Sequence, residues 1–380
     1  MKAQLIFILD GLGEPQSPST LDRSDTPFLD RLTRRGEMGQ IDLGWSGEDP
    51  TSEKGILRLC GNGELSEVYS RALLLYAART EEGPLPEEER WVWLLNPASV
   101  RNDQLESYVE DGPVDIFWRN FLENAATLPR QFEYLPVSGA NGQILRLLAT
   151  HPVDGQSPGL ADVPQSGARV PSVGLAASLM EEASSFILKG GTFNCVWPWG
   201  MGKWDSQQMV LPEKTANKWM IAGAPLSRAL GKVMGWMTPL IPGATGDVDT
   251  SIEAKGKALM DALGREETTH VVCHLEGFDL SSHRKNIREK IGFLEKFDRV
   301  MGPVILDCLE RKRVEGVWLT CDHLSSPQTG NHAKGPVPFL HLFPGGLIPS
   351  DIGERGKWTE KRSASGPLHS TRSWKTALGF

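Results

Sequence analysis

Acids, histidines and one serine stand directly behind short apolar runs in this chain. LIFIL (5–9) runs into Asp10-Gly11. HVVCHLEG (270–277) leads to Asp279, with His283 four residues on. VWLT (317–320) leads through Cys321 to Asp322-His323, His332 lies just ahead of PVPFLHLF (336–343), and Ser52 lies in PTSEKG (50–55). In an α/β sheet, chemistry gathers beyond the carboxyl ends of the strands. Carboxylate oxygens and neutral imidazole nitrogens are donors that divalent metals accept. A free serine hydroxyl is a weak nucleophile until a base or a metal activates it. Together these residues predict two divalent ions, an activated serine and phosphoryl transfer. Each has a plain alternative when taken alone: an acid after a strand caps a helix, a lone histidine sits satisfied in a core, and Ser52 caps a turn. There is no GxSxG elbow and no local sign of a Ser-His-Asp triad.

The elements that must position these groups follow from periodicity. Residues 4–10 read as a buried strand, followed by a helix with Thr26 as N-cap, Pro27 in its first turn, an Asp30–Arg34 pair and Gly36 at its end. WVWLL (91–95) begins another strand, residues 97–170 show no clear period, and SVGLAASLMEEASSFILKG (172–190) is helical. Thr250 and Glu253 form a capping box for a helix closed by Gly264. TTHVVCHLEG, GVWLTCDH and PVPFLHLF are strands, and the helix between the first two should kink or split at Gly302-Pro303. Trp91, Trp93, Trp197 and Trp199 alternate as on strands packed against a core.

With 380 residues, two domains are the natural expectation. A net charge of -8 gives no electrostatic case for nucleic acid or anionic membrane, so an anionic substrate would need local positive charge from metals or arginines. Five scattered cysteines without a CxxC read as reduced thiols of a cytoplasmic protein. The apolar stretches fall short of a membrane span, and the N-terminal run lacks a cleavage site.

LIFILDGLGE, TPFLDRLTRRG, PTSEKG, NCVWPWGMG, TPLIPGATGDVDTSIEAKGKAL, HVVCHLEGFDLSSH, KIGFLEKFDRVMGPVI, LTCDH and NHAKGPVPF together resemble the cofactor-independent phosphoglycerate mutases, archaeal-type branch, of the alkaline phosphatase superfamily. The ordered combination of PGATG, DxxxH, DH and HxxxPVP is the specific part. The resemblance implies an α/β fold: an alkaline-phosphatase-like core with a central, mostly parallel sheet flanked by helices, plus an inserted α/β cap. The core would comprise residues 1–75 and 225–380 and the cap 76–224. One ion would be held by Asp279, His283 and His332, and the other by Asp10, Ser52, Asp322 and His323. Ser52 would be the nucleophile that becomes phosphoserine. The resemblance implies Mn2+ as the ion, with Zn2+, Co2+ or Mg2+ compatible with the same donors, and a glycolytic interconversion of 3-phosphoglycerate and 2-phosphoglycerate.

The chain departs from that pattern where substrate is gripped. The glycine-rich GRGP run is replaced by EVYSRALL, which keeps Arg71, and the arginine-rich DRRAGR segment has no counterpart. Arg71, Asn96, Arg101 and His151 are the candidate substrate contacts, with Arg119, Arg130, Arg146, Arg169 and Lys203 as replacements for lost arginines. A metal-dependent phosphomonoesterase or phosphonate-processing hydrolase on the same core is therefore a second expectation, and a non-catalytic metal-binding relative a third. The expected partner is a small phosphorylated molecule, and a homo-oligomer is allowed.

Overall fold

The computed structural model describes residues 2–33, 36–81, 85–109, 114–139, 142–159, 167–187, 191–207, 209, 211–345 and 356–380. In chain order the strands are β1 (Ala3–Leu9), β2 (Gly36–Asp42), β3 (Arg90–Arg101), β4 (Gln104–Tyr108), β5 (Glu133–Ser138), β6 (Ile144–Pro152), β7 (Cys195–Trp204), β8 (Thr215–Ile221), β9 (Trp236–Met237), β10 (His270–Leu275), β11 (Val314–Thr320), β12 (Leu324–Ser326), β13 (Asn331–Ala333), β14 (Val337–Leu342) and β15 (Leu368–Ser370). They fall into two compact units, Met1–Ser66 with Glu213–Phe380, and Glu67–Pro212.

The first unit is built on an eight-stranded sheet of order β15-β2-β14-β11-β1-β10-β8-β9. The run β11-β1-β10-β8-β9 is parallel, and β14 is antiparallel to both β11 and β2. β1 lies in the sheet interior between β10 and β11, and all of Leu5–Leu9, whose side chains alternate between the two faces, is buried. That is why this strand reads as a continuous apolar run rather than an alternation. The long helix Ile287–Glu310 packs against it through Phe297, whose ring meets Phe7 edge-on at 5.4 Å.

Several local expectations are corrected here. The helix Pro27–Leu32 ends before Gly36, which begins β2 instead. Thr26 supplies no side-chain cap; the buried carboxylate of Asp298 accepts from the Phe28 and Leu29 amides at 3.2 and 2.7 Å. Arg34 of the proposed ion pair lies outside the described residues. The helix Ile252–Leu263 is capped by Ser251, which accepts from the Ala254 amide, while Thr250 turns to the Thr245 amide. Helix Ile287–Glu310 runs unbroken through Pro303.

The second unit is an antiparallel sheet of order β4-β3-β6-β5, with β7 paired to the other edge of β3. The stretch read as aperiodic thus contains three strands and the helix Asp115–Thr127. That helix and Gly174–Ser185 cover one sheet face, burying Trp93, Trp118, Phe121, Leu147 and Leu179 in one cluster. Of the helix expected over 172–190, residues 188–190 lie outside the described residues. The tryptophans do line strands, but on opposite faces: Trp93 points into this cluster, whereas Trp197 and Trp199 pair in register with Asn96 and Leu94 on the other side.

Candidate functional site

Seven side chains predicted from sequence converge within the first unit, at the carboxyl end of its parallel strands. Asp10 leaves β1, Asp322 and His323 leave β11, and Asp279 and His283 share one face of the helix Gly277–His283 that follows β10. His332 lies on β13, which pairs with β12 directly after His323. Ser52 is the first residue of the helix Ser52–Leu59. Its Oγ stands 3.2 Å from His323 Nε2, and that nitrogen is 3.2 Å from Asp10 Oδ1 and 3.5 Å from Asp322 Oδ2. On the other side, Asp279 Oδ2 is 3.0 Å from His283 Nε2 and 3.4 Å from His332 Nε2. The His323 and His332 rings stack between the two groups, centroids 3.8 Å apart.

Two glycines permit this closeness. Gly11 has φ +63° and lies where a Cβ would sit 2.8 Å from Asp279 Oδ1; its amide donates to Asp322 Oδ1. Gly55 lies one helical turn beyond Ser52, where a Cβ would sit 2.3 Å from the Asp322 carbonyl oxygen. The bare backbone lets the Ser52 helix rest directly on the end of β11.

The donor set fits divalent cations by its hydrogen bonding. His283 Nδ1 and His332 Nδ1 each stand 2.8 Å from a backbone carbonyl, those of Gly330 and Pro50, which an N–H must fill. In the neutral tautomer this leaves two Nε2 lone pairs facing each other at 3.2 Å, a repulsive arrangement unless positive charge lies between them. The buried oxygens Oδ1 and Oδ2 of Asp10 and Oδ2 of Asp322 lack a hydrogen bond of good geometry, even though imidazole nitrogens approach Asp10 to 3.1–3.2 Å. Donor atoms of Asp10, Asp322 and His323 lie within 4.8 Å of one another, as do those of Asp279, His323 and His332. His323 therefore belongs to both groups rather than to one alone.

Electrostatics agree. Burial alone would raise Asp10, but the imidazoles of His274 and His323 hold it below the usual carboxylate range. Asp279 is likewise held down, against its burial, by His332 and His283. Burial and the neighbouring Asp10 drive Asp322 well up. Burial would lower His323, yet the charge of Asp322 and the other acids pushes it up to about 10. Protons here compensate a cluster of buried anions, a task that cations perform better.

Sequence reasoning missed His274. It lies inside β10, fully buried, with Nε2 3.1 Å from Asp10 Oδ2 and Nδ1 3.0 Å from Ser227 Oγ. The available signal was a histidine one residue before the end of a parallel strand, directly after the apolar Val271–Cys273.

The four substrate-contact candidates all lie in the second unit and are not assembled into one cluster. Arg71 places its guanidinium 5.2 Å from the Trp199 ring centroid, and Trp199 Nε1 donates to the buried Asn96 at 3.1 Å. His151 is buried at the far end of β6, with Nδ1 2.7 Å from the Pro152 carbonyl. It lies across from Trp91, whereas Arg101 ends β3 ten residues further on and pairs with Glu106 in solvent. Among the suggested replacements, Arg119 pairs with Asp115 and Lys203 with Glu89. All five cysteines are free and buried, and among the described residues no helix is long and apolar enough to cross a membrane.

The chain is 32% identical over 147 residues to the 2,3-bisphosphoglycerate-independent phosphoglycerate mutase of Methanothrix thermoacetophila, spanning 38% of this chain and 37% of that protein. It is 26% identical over 365 residues, 90% of each chain, to a protein of Geobacter sulfurreducens named a probable 2,3-bisphosphoglycerate-independent phosphoglycerate mutase. Its fold is similar to that of the PH0037 protein of Pyrococcus horikoshii, with TM-score 0.72 and 20% identity over 99% of this chain and 96% of that one. The cofactor-independent phosphoglycerate mutase of Thermoplasma acidophilum follows the same fold at TM-score 0.53 and 16% identity, covering 100% and 99%. These likenesses accord with the mixed central sheet and its flanking helices. The family model of the Metalloenzyme superfamily matches residues 2–362, the span that carries every one of the converging acids and histidines, and the chain belongs to that superfamily.

Proposed function

We propose that this protein is a two-metal phosphotransferase that works through a phosphoserine at Ser52, and that its reaction is the interconversion of 3-phosphoglycerate and 2-phosphoglycerate. The observation that carries the reading is the Ser52 hydroxyl, 3.2 Å from His323 Nε2 and beside the Asp10–Asp322 pair. Asp10, Ser52, Asp322 and His323 would hold one divalent ion, and Asp279, His283 and His332 the other. Bound there, the ions would supply charge neutralisation for phosphoryl oxygens and a lowered pKa for the serine hydroxyl. The chain's own contribution is orientation. Ser52 opens a helix, where backbone N–H groups of the first turn have no intrahelical acceptor and favour an incoming anion. Gly55 seats that helix, and the carbonyls of Pro50 and Gly330 fix the two imidazoles. Mn2+ is the ion to test first.

A hydrolase on the same site is the second reading, favoured by one specific feature: Arg101, Arg119 and Lys203, among the bases that could clamp a carboxylate, are each engaged with an acid of their own unit. Without such a clamp, water takes the phosphate in place of the second hydroxyl. Phosphorus NMR of the manganese-loaded protein with 3-phosphoglycerate separates the two. Appearance of 2-phosphoglycerate supports the mutase and free phosphate the hydrolase. Inertness toward this and a generic phosphate ester would overturn both, leaving a metal-binding protein without turnover.

A further inference from the structure

We propose that Ser325, held in place by the buried Lys290 and Glu14, is a positioning residue that sets the Asp279 carboxylate against His283 and His332. The proposal rests on the metal-binding reading of these three residues. Ser325 is fully buried, and its Oγ donates to Asp279 Oδ1 at 2.6 Å. On the short β12–β13 hairpin it is the register partner of His332, so one cross-strand pair carries both a candidate ligand and the hydroxyl that orients another. With Oδ1 occupied by Ser325, the carboxylate has a fixed rotation, and Oδ2 is the oxygen 3.0 Å from His283 Nε2.

Ser325 is itself fixed at two backbone points. Its amide donates to the Gly13 carbonyl at 2.8 Å, and its carbonyl accepts from Lys290 Nζ at 3.0 Å. Lys290 comes from the first turn of the helix Ile287–Glu310 and has no exposed surface. Its ammonium is 3.4 Å from Glu14 Oε1, which also accepts from Thr20 Oγ1 at 2.6 Å and from the Thr20 amide at 3.1 Å. A buried ammonium is costly unless paired, and an apolar side chain of similar volume could fill the same space. What an apolar side chain could not do is tie the β12 backbone to Glu14, and through it to the segment that follows Asp10. Lys290 thus links the two halves of the site: the loop after β1 and the hairpin that bears His332.

The test is Mn2+ titration of metal-free protein, followed by electron paramagnetic resonance of the free ion and by calorimetry. Ser325→Ala should weaken one of the two sites by roughly 10–100-fold, with the metal-free melting temperature within about 4 °C of the parent. Lys290→Met should shift affinity in the same direction. In an Asp279→Ala background Ser325→Ala should cause no further loss, because the oxygen that the hydroxyl orients is already gone. Parent-like affinity in Ser325→Ala, or an undiminished loss in the Asp279→Ala background, would overturn the positioning role alone. A parent that binds no Mn2+ would overturn the metal reading and this role with it.

Discussion

Replacing Gly55 by alanine sets two effects against each other. Alanine is the better helix former by up to about 1 kcal/mol, so propensity alone predicts a more stable Ser52–Leu59 helix. The added Cβ, however, would lie 2.3 Å from the Asp322 carbonyl oxygen and 2.8 Å from the Asp322 Cβ. Non-bonded heavy atoms settle near 3.5–4.0 Å, so about 1 Å must open between the helix and the end of β11. Both surfaces are buried backbone at the site, and neither can rotate away like a flexible side chain. Overpacking of this kind costs about 1–3 kcal/mol, so the net stability effect runs from about zero to a loss of about 3 kcal/mol. The functional cost is larger, because the segment that moves carries Ser52 and the segment it pushes carries Asp322 and His323. A displacement of about 1 Å at reacting groups lowers turnover by on the order of 100-fold. Initial rates with 3-phosphoglycerate and with a generic phosphate ester, alongside the melting temperature, test this. Activity within about threefold of the parent would show that the close seating of this helix is not what orients the serine.

Ser52→Ala should lower turnover by on the order of 10³-fold or more while Mn2+ binding persists; full activity in phosphate-release or isomerisation assays would remove Ser52 from the mechanism. Chelation should destabilise the protein. Saturation at 100 times Kd contributes about 2.7 kcal/mol, so calorimetric melting should fall by roughly 5–10 °C on metal removal. An unchanged melting temperature would argue that the converging donors hold no ion. Burial pushes the Glu360 carboxyl up to about 7 from 4.5, and its Oε1 accepts from the Glu14 amide at 3.0 Å. A raised carboxyl favours the fold while protonated, so this contribution is complete below pH 4.5 and is lost as pH climbs through 7. The shift corresponds to about 3 kcal/mol at most, and Glu360→Gln should flatten that part of the stability profile in urea titrations at pH 5–8. A slope unchanged by the substitution would assign the pH dependence elsewhere.

The candidate site was legible because its residues sit immediately after buried parallel strands. Such strands read as unbroken apolar runs, and the first polar residue beyond each run is conspicuous in Asp10 and Asp322. Asp279 and His283 carried a second signal, since four residues bring two side chains to one face of a helix. His274 escaped for the converse reason: a polar residue within a buried strand has no position that marks it, and only the register opposite Ile8 brings it beside Asp10. Ser325 and Lys290 lay equally hidden, because a serine on a three-residue strand and a lysine in a helical first turn look like solvent groups until packing encloses them.

The second unit was hard to read for a reason visible in its prolines. Pro97, Pro136, Pro152 and Pro198 all fall within strands, where a missing N–H normally argues against strand structure. Here the sheet tolerates them by placement. β5 and β7 are edge strands that pair on one side only, so Pro136 and Pro198 can direct the missing donor away from the ladder. Pro97 sits in the central strand, but two residues past Leu95, where pairing with β6 has stopped. An antiparallel sheet that buries both faces and carries prolines at its edges loses the alternation that would announce it, and the tryptophans show the same effect. Trp91 and Trp93 mark one face, and Trp197 and Trp199 mark the other. Alternation within each strand was correct, yet no single-strand pattern can tell which face of a sheet a neighbouring strand will share.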